Sequence, residues 1–171
     1  QAYYAVLACN VALGGNETDL TPALAAFAKL AEEGRLNTSN PYVSNLENGE
    51  IEVAVLWDFN ALGYRDQIDP ARFAVTIPSD GAVTSGYASV INQYANNPYA
   101  AMLAREVLLS EEGQNFLAKG YARPIREDIQ LTDEAKSHVL DSALYANAYK
   151  IPDLAAWDKT VSELPTRWAE E

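Results

Sequence analysis

A short apolar run in the first third of the chain restricts the possible folds more than any other feature. Residues 51–57 read Ile-Glu-Val-Ala-Val-Leu-Trp, and this length and β-branched content are typical of a buried strand. No turn residue follows, because the chain continues directly into Asp58-Phe59-Asn60. A buried strand needs neighbouring strands and covering helices, so the run predicts a fold with a sheet. That strand would end at an indole, a carboxylate and an amide.

Helical and extended patterns alternate along the rest of the chain. Helices are predicted at 2–13, between Thr21 and Gly34, between Pro41 and Gly49, at about 58–67, at 96–109, between Ser110 and Gly120, near 133–143, and around Leu154–Leu164. Further strands are predicted at 72–77 and 82–91. Pro165 should kink or end the last helix. The predicted fold class is α/β, with more helix than strand.

Composition excludes several kinds of partner. The 171 residues include 24 acidic and 12 basic residues, for a net charge of −12. A nucleic-acid-binding face needs clustered Lys and Arg, which the sequence lacks, so no nucleic-acid partner is expected. Cys9 is the only cysteine, so neither an intrachain disulfide nor a thiolate metal cluster is possible, and its apolar flanks predict a buried thiol. No apolar run has the length of a membrane span, and we expect any signal peptide to have been removed.

Catalytic motifs are missing from the sequence. It contains no phosphate-binding glycine loop, no dinucleotide fingerprint and no nucleophile elbow. His138, the only histidine, is predicted to be a surface residue without a chemical role. Glu111 and Glu112 complement the dipole of a helix start. A glycosidase pair formed by distant carboxylates stays open. We assign no catalytic residue, metal or cofactor, and expect a protein that is not an enzyme.

Trp57 and Asp58 fit ligand binding better than catalysis. Ligands of α/β sheets lie at the carboxyl ends of strands, where these two residues are predicted to be. An indole face attracts cations and stacks on flat ligands, and a neighbouring carboxylate pairs with an amine. Asp58 as the N-cap of the next helix, with Trp57 in the core, explains the pattern equally well. The two roles can also coexist.

Three stretches carry a resemblance to a known family. They are GRLNTSNPYVSNLENGEIEVAVLWDFNALGYRDQ, IPSDGAVTSGYASVINQYANNPYAAMLAREVLLSEEGQNFLAKGYARPIR and the closing SELPTRWAEE. In this order they resemble the bacterial extracellular solute-binding proteins of ABC transporters, with the best match to the spermidine/putrescine-binding type. The resemblance implies a type II periplasmic-binding-protein-like fold, in which two α/β lobes close on a small ligand. It also implies an ABC transporter permease as partner, and a periplasmic or extracellular location.

The resemblance also implies a set of ligand-binding residues, namely Trp57, Asp58, Ser39, Ser85, Gly86, Tyr87, Tyr4 and Gln1. Trp57 and Asp58 would lie in the cleft of the second lobe, and Ser39 matches the family's cleft serine. Residues 85–87 match the strand that crosses back to the first lobe. Tyr4 and Gln1 match the N-terminal end of a helix that points at the cleft.

Departures from the family pattern narrow the expected ligand. Polyamine binders place a Trp and an Asp where this chain has Ser85 and Tyr87, so a diamine clamp is incomplete. The ferric-ion branch places two tyrosines where this chain has Phe59-Asn60, so ferric binding is not expected. The remaining expectation is a small metabolite that offers an amine to Asp58 and an apolar or flat part to Trp57. Phosphonates and sugar phosphates stay open, because Ser85 and the Gly86 amide can serve an anion.

The resemblance further implies an incomplete pair of lobes. Residues 1–83 and 124–171 would form the second lobe, and 84–123 would return to a first lobe whose N-terminal half is missing from this chain. We expect 84–123 to project away, or to pack against another polypeptide such as that half. The effector-binding domain of a LysR-like regulator has a related fold and is the alternative. It would lack the run Leu-Ser-x-Glu-x-Gln at 109–114 and the C-terminal Trp helix.

Overall fold

The structure, a computed structural model, describes residues 1–170 of the chain. The α-helices are α1 (Ala2–Ala12), α2 (Thr21–Glu32), α3 (Val43–Glu47), α4 (Asp58–Ile68), α5 (Pro98–Leu109), α6 (Glu111–Lys119), α7 (Asp133–Ser137) and α8 (Leu154–Glu170). Two strands, β1 (Val83–Thr84) and β2 (Tyr149–Lys150), pair in parallel, and a 3₁₀ turn spans Ser142–Tyr145. The described chain is therefore mostly helical with few strands, a composition compatible with the α/β class.

The chain divides into two compact units. Unit 1 contains Gln1–Trp57, Thr76–Ser85 and the residues from Ser142 onward, and unit 2 contains Asp58–Val75 and Gly86–Asp141. The assignment of residues to lobes made from the resemblance stays a prediction.

The core of unit 1 is formed by α1, α2 and α8. Its buried residues are Val6, Leu7, Leu20, Ala23, Leu24, Trp157 and Leu164. The predicted helix faces are confirmed at Leu7, Leu24 and Trp157, which are all buried. Cys9 packs partly buried against this core, and its burial raises the pKa of the thiol. No helix within residues 1–170 is both long and apolar enough to cross a bilayer.

A buried asparagine connects α1 to the start of α2. The Asn10 side chain donates to the carbonyl oxygens of Asn16 (2.9 Å) and Asp19 (2.8 Å), and accepts from the Ala23 amide (3.2 Å). The Ala23 amide is one of the N-terminal donors that a helix cannot satisfy internally. The sequence Thr21-Pro22 predicts Thr21 as the N-cap of α2, but Thr21 is its first helical residue, and Leu20 at the cap position has no side-chain acceptor. Asp19 Oδ1 accepts from the Thr21 amide at 3.0 Å, and Asn10 satisfies the Ala23 amide from α1.

The predicted strands are mostly absent from the described residues. Residues 51–57 and 72–77 form no ladder, and only Val83–Thr84 of the predicted strand 82–91 is paired. Val53 is 86% exposed and Val55 is also exposed, so 51–57 is an irregular segment and not a buried strand. The prediction failed because β-branched composition favours a pleated surface only where a partner strand is present.

Two helices also differ from their predictions. The helix predicted near 133–143 ends at Ser137, and the 3₁₀ turn follows after a break. The last helix continues past Pro165 to Glu170, so Pro165 does not end it, and the kink expected as the alternative stays a prediction.

Unit 2 is built around α6, which packs against α5 and α7. The predicted start of α6 is confirmed, because the Ser110 hydroxyl accepts from the Gly113 amide at 3.1 Å. The sequence predicts that α5 buries Met102, Leu103 and Val107 against a sheet, but all three are exposed and α5 has no buried residue. Within residues 1–170 no sheet covers this helix face.

Candidate functional site

In unit 1, Trp57 belongs to a row of three aromatic rings. The Tyr4 ring centroid lies 5.1 Å from that of Trp57 and 5.7 Å from that of Trp157, with interplanar angles of 50° and 57°. Trp157 is only 3% exposed, whereas Tyr4 and Trp57 are half-buried. Tilted aromatic pairs contribute about 0.5–1.5 kcal/mol beyond the burial of their area. Tyr4 thus connects Trp57 to the core and leaves part of the indole accessible.

The other unit 1 residues predicted for the site lie apart from this row. Gln1 stands exposed before α1, where its carbonyl accepts from the Ala5 amide at 3.1 Å. The exposed Ser39 donates its amide to the Asn37 side chain at 2.9 Å, and Ser85 is exposed directly after β1. In residues 1–170 no hydrogen bond joins Gln1, Ser39 or Ser85 to Trp57. The structure brings together Tyr4 and Trp57 only.

In unit 2, Asp58 begins α4 and forms an ion pair. Its Oδ1 accepts from the Phe59 amide at 2.9 Å, and its Oδ2 lies 3.3 Å from Nε of Arg123. The side chains of Asp58 and Arg123 are 19% and 35% exposed. A carboxylate in the first turn also complements the helix dipole. Asp58 is therefore the first residue of α4 and not the predicted N-cap, while its ligand role stays a prediction.

Gly86 and Tyr87 occupy an open part of unit 2. Tyr87 is 76% exposed, and its ring meets the Phe59 ring edge-on at 6.0 Å between centroids. A Cβ on Gly86 would have no atom within 4 Å. A glycine inside the predicted strand 82–91 indicates a bulge or a close backbone approach, and neither is found at Gly86.

Arg123 is the residue that the sequence reasoning missed. It lies in the stretch Gly-Tyr-Ala-Arg-Pro just after α6, and its only sequence signal is a cation beside the predicted end of a helix. Two residues earlier, the Tyr121 hydroxyl donates to Asp66 Oδ2 on α4 at 3.0 Å. The pKa of Asp66 is lowered, mainly by the hydrogen bond from Arg65 and in addition by the one from Tyr121.

His138 is half-buried and not the surface residue predicted. Its ring centroid lies 5.3 Å from that of Tyr121, and its buried Nδ1 has no hydrogen-bond partner in the described part of the chain. In residues 1–170 there is also no cluster of three or more His, Cys, Asp or Glu side chains placed to hold a metal ion.

Comparisons with known proteins agree on one family of binding proteins. Residues 1–160 match the model of the family described as bacterial extracellular solute-binding protein. The sulfate-binding protein of Salmonella typhimurium is 25% identical over 114 residues, which cover 65% of this chain and 34% of that protein. The sulfate-binding protein of Escherichia coli is 26% identical over 109 residues, covering 62% and 32%. The chain therefore spans about a third of the length of these relatives. Since the family model matches nearly the whole chain, the chain belongs to the bacterial extracellular solute-binding proteins.

Proposed function

We propose that the chain is part of the substrate-binding component of an ABC importer, which captures a small metabolite and delivers it to the transporter permease. The component would work in the periplasm or outside the cell. The observation that carries this proposal is the family match over residues 1–160, within which a half-buried indole and a charged carboxylate are adjacent at Trp57 and Asp58. The alternative of a regulator's effector-binding domain loses its basis, because the chain belongs to the solute-binding family.

The first candidate ligand carries an amine. Asp58 would receive the ammonium group, and Trp57 would cover an apolar or flat part of the ligand. An amine must compete with Arg123, which already pairs with Asp58. Partly exposed pairs contribute about 0–1 kcal/mol, so breaking the Arg123 pair costs little. The desolvation of the ammonium has to be offset by its contacts with Asp58 and Trp57.

The second candidate ligand is an oxyanion such as sulfate, a phosphonate or a sugar phosphate. Its support is the Arg123 guanidinium, which offsets the negative charge of Asp58 and gives the site a cation that an oxyanion can bind. A guanidinium matches the geometry of oxyanions, and the two relatives described above are named for sulfate. Ser85 and the Gly86 amide would add donors. A ligand that carries both charges would satisfy Asp58 and Arg123 together.

The exposed face of α5 supports a polypeptide partner. Tyr99, Met102, Leu103 and Val107 recur at helical spacing on this helix, and all four are exposed. We propose that an N-terminal half of the same protein covers this face as part of the first lobe, with 84–123 contributing to it. The greater length of the relatives supports this partner.

Calorimetric titration tests the ligand proposals. Inorganic sulfate, methylphosphonate, glucose 6-phosphate and putrescine serve as probes, and native mass spectrometry of protein from its source reports any retained ligand. If the ligand is an amine, Asp58→Asn weakens putrescine binding about tenfold or more and leaves neutral ligands unchanged. If it is an oxyanion, Arg123→Gln abolishes sulfate or phosphonate binding. Asp128→Asn, which breaks an ion pair elsewhere in the same loop, is the matched control.

Tight binding of an amine-free phosphonate that survives Arg123→Gln would contradict both ligand proposals. If the protein turns over a probe chemically, the binding role itself is wrong.

A further inference from the structure

Tyr121 has a backbone conformation that side chains usually avoid. Its φ is +71°, the left-handed region, and in residues 1–170 it is the only non-glycine residue with positive φ. It follows the end of α6, where the Tyr121 amide donates to the Ala118 carbonyl (2.9 Å) and the Ala122 amide to that of Leu117 (3.1 Å). This bond pair is the Schellman ending of a helix, and its left-handed position is usually a glycine. A tyrosine here is strained, so its side chain requires an explanation.

The Tyr121 side chain attaches the end of α6 to α4. Its hydroxyl donates to Asp66 Oδ2, and its ring covers Gly63, where an added Cβ would lie 3.8 Å from the ring. The Tyr121 ring also lies 5.3 Å from the His138 ring, measured between centroids. A glycine at this position would relieve the strain but would make none of these contacts.

Arg123 lies between two such attachment points. On one side, Tyr121 is bonded to Asp66. On the other side, the Ile125 amide donates to the side-chain oxygen of Gln114 at 2.9 Å. The Gln114 side chain is 1% exposed, and its amide group donates to the Leu108 carbonyl at 2.9 Å. The segment between these points brings Nε of Arg123 to 3.3 Å from Asp58 at the first residue of α4.

We propose that Tyr121 is a positioning residue that holds Arg123 against Asp58. Its left-handed strain is retained because the ring and hydroxyl fix the course of residues 121–125 along α4. Through Arg123, Tyr121 sets the balance of charge at the candidate site and hence its preference between amines and oxyanions. This last step rests on the proposed function, whereas the positioning of Arg123 does not.

The experiment monitors the Arg123 guanidinium directly. In protein labelled with ¹⁵N-arginine, the Nε–H signal is assigned through Arg123→Lys, and its solvent exchange is measured at mildly acidic pH without ligand. Tyr121→Gly should raise the exchange rate of Arg123 about tenfold, the factor that corresponds to loss of one charge-assisted hydrogen bond. Tyr121→Phe, which breaks only the hydroxyl contact, should raise it by a smaller factor of about three. Asp66→Ala, which breaks the same contact and in addition the Arg65 pair, should raise it by a similar factor.

The Arg126 signal is the internal control, because Arg126 pairs with Asp128 in the same loop without contacting Tyr121. Its exchange should stay unchanged in all variants. Unchanged Arg123 exchange in Tyr121→Gly, or in both milder variants if the glycine variant does not fold, overturns the proposal. An equal acceleration of Arg126 also overturns it, because the effect would then be general loosening of the loop. Failure of every probe to bind would contradict the proposed function while leaving the exchange result intact.

Discussion

Trp57 and Trp157 form a matched pair for separating a ligand role from a core role. Trp157 is buried in the core of unit 1, so Trp157→Ala should cost about 3–5 kcal/mol of the free energy of unfolding. Trp57 is half-buried and meets Tyr4 through one tilted ring contact, so Trp57→Ala should cost about 1–2 kcal/mol. For a chain of this size each kcal/mol lowers the melting temperature by about 2–4 °C. The two variants should therefore differ clearly in a thermal melt.

Binding should show the reverse order. If Trp57 contacts the ligand, Trp57→Ala weakens binding by about 1–3 kcal/mol, because stacking and apolar burial are lost. Trp157→Ala should leave the affinity of the folded fraction nearly unchanged. The assay is calorimetric titration with the ligand identified by native mass spectrometry, at a temperature where both variants are folded. Unchanged affinity in Trp57→Ala, together with a melting loss as large as that of Trp157→Ala, would make Trp57 a core residue only.

Two further predictions concern buried and charged polar groups. Asn10→Leu should destabilise unit 1 by about 3–5 kcal/mol in urea unfolding, because it leaves two carbonyls and the Ala23 amide without partners; a loss below about 1 kcal/mol would mean that water replaces the side chain. Asp66→Asn should lower stability at neutral pH. The folded-state pKa of Asp66 is lowered, so its contribution is present above the unfolded value of about 3.9 and is lost as pH falls through the folded value. The gap between wild type and Asp66→Asn should therefore close below about pH 4, and a gap that widens on acidification would refute the argument.

Helices were predicted well because their signals are local. The start of α6 is predicted by Ser110 and the two glutamates that come after it in the chain, all within one helical turn. The irregular segment 51–57 was wrongly predicted as a strand, because a strand depends on a partner that its own residues do not specify. The last helix passes through Pro165 because tertiary packing around Trp157 and Leu164 overrides the loss of one backbone bond.

The candidate site could be predicted only in part. Trp57 and Asp58 are adjacent in the chain, so any pattern that finds one finds the other. The structure adds a ring contact between Tyr4 and Trp57, and the ligand roles of all three stay predictions. Arg123 was missed because its pairing with Asp58 depends on how the chain leaves α6. That exit depends on left-handed backbone at Tyr121, whereas local rules expect it at glycine, and the neighbouring Gly120 has a φ of −89°.

The irregular segment 51–57 has a consequence for the colloidal behaviour of the isolated chain. It exposes Val53 and Val55 beside backbone groups that no ladder occupies, and Glu52 is its only charged residue. Unpaired backbone beside exposed β-branched side chains favours addition of a strand from a second molecule. Molecules of net charge −12 repel each other at long range, which opposes this association. At 0.1 M salt the repulsion is largely screened beyond about 10 Å. The chain is therefore held apart by charge at low ionic strength, and its tendency to associate through this segment rises as salt is added.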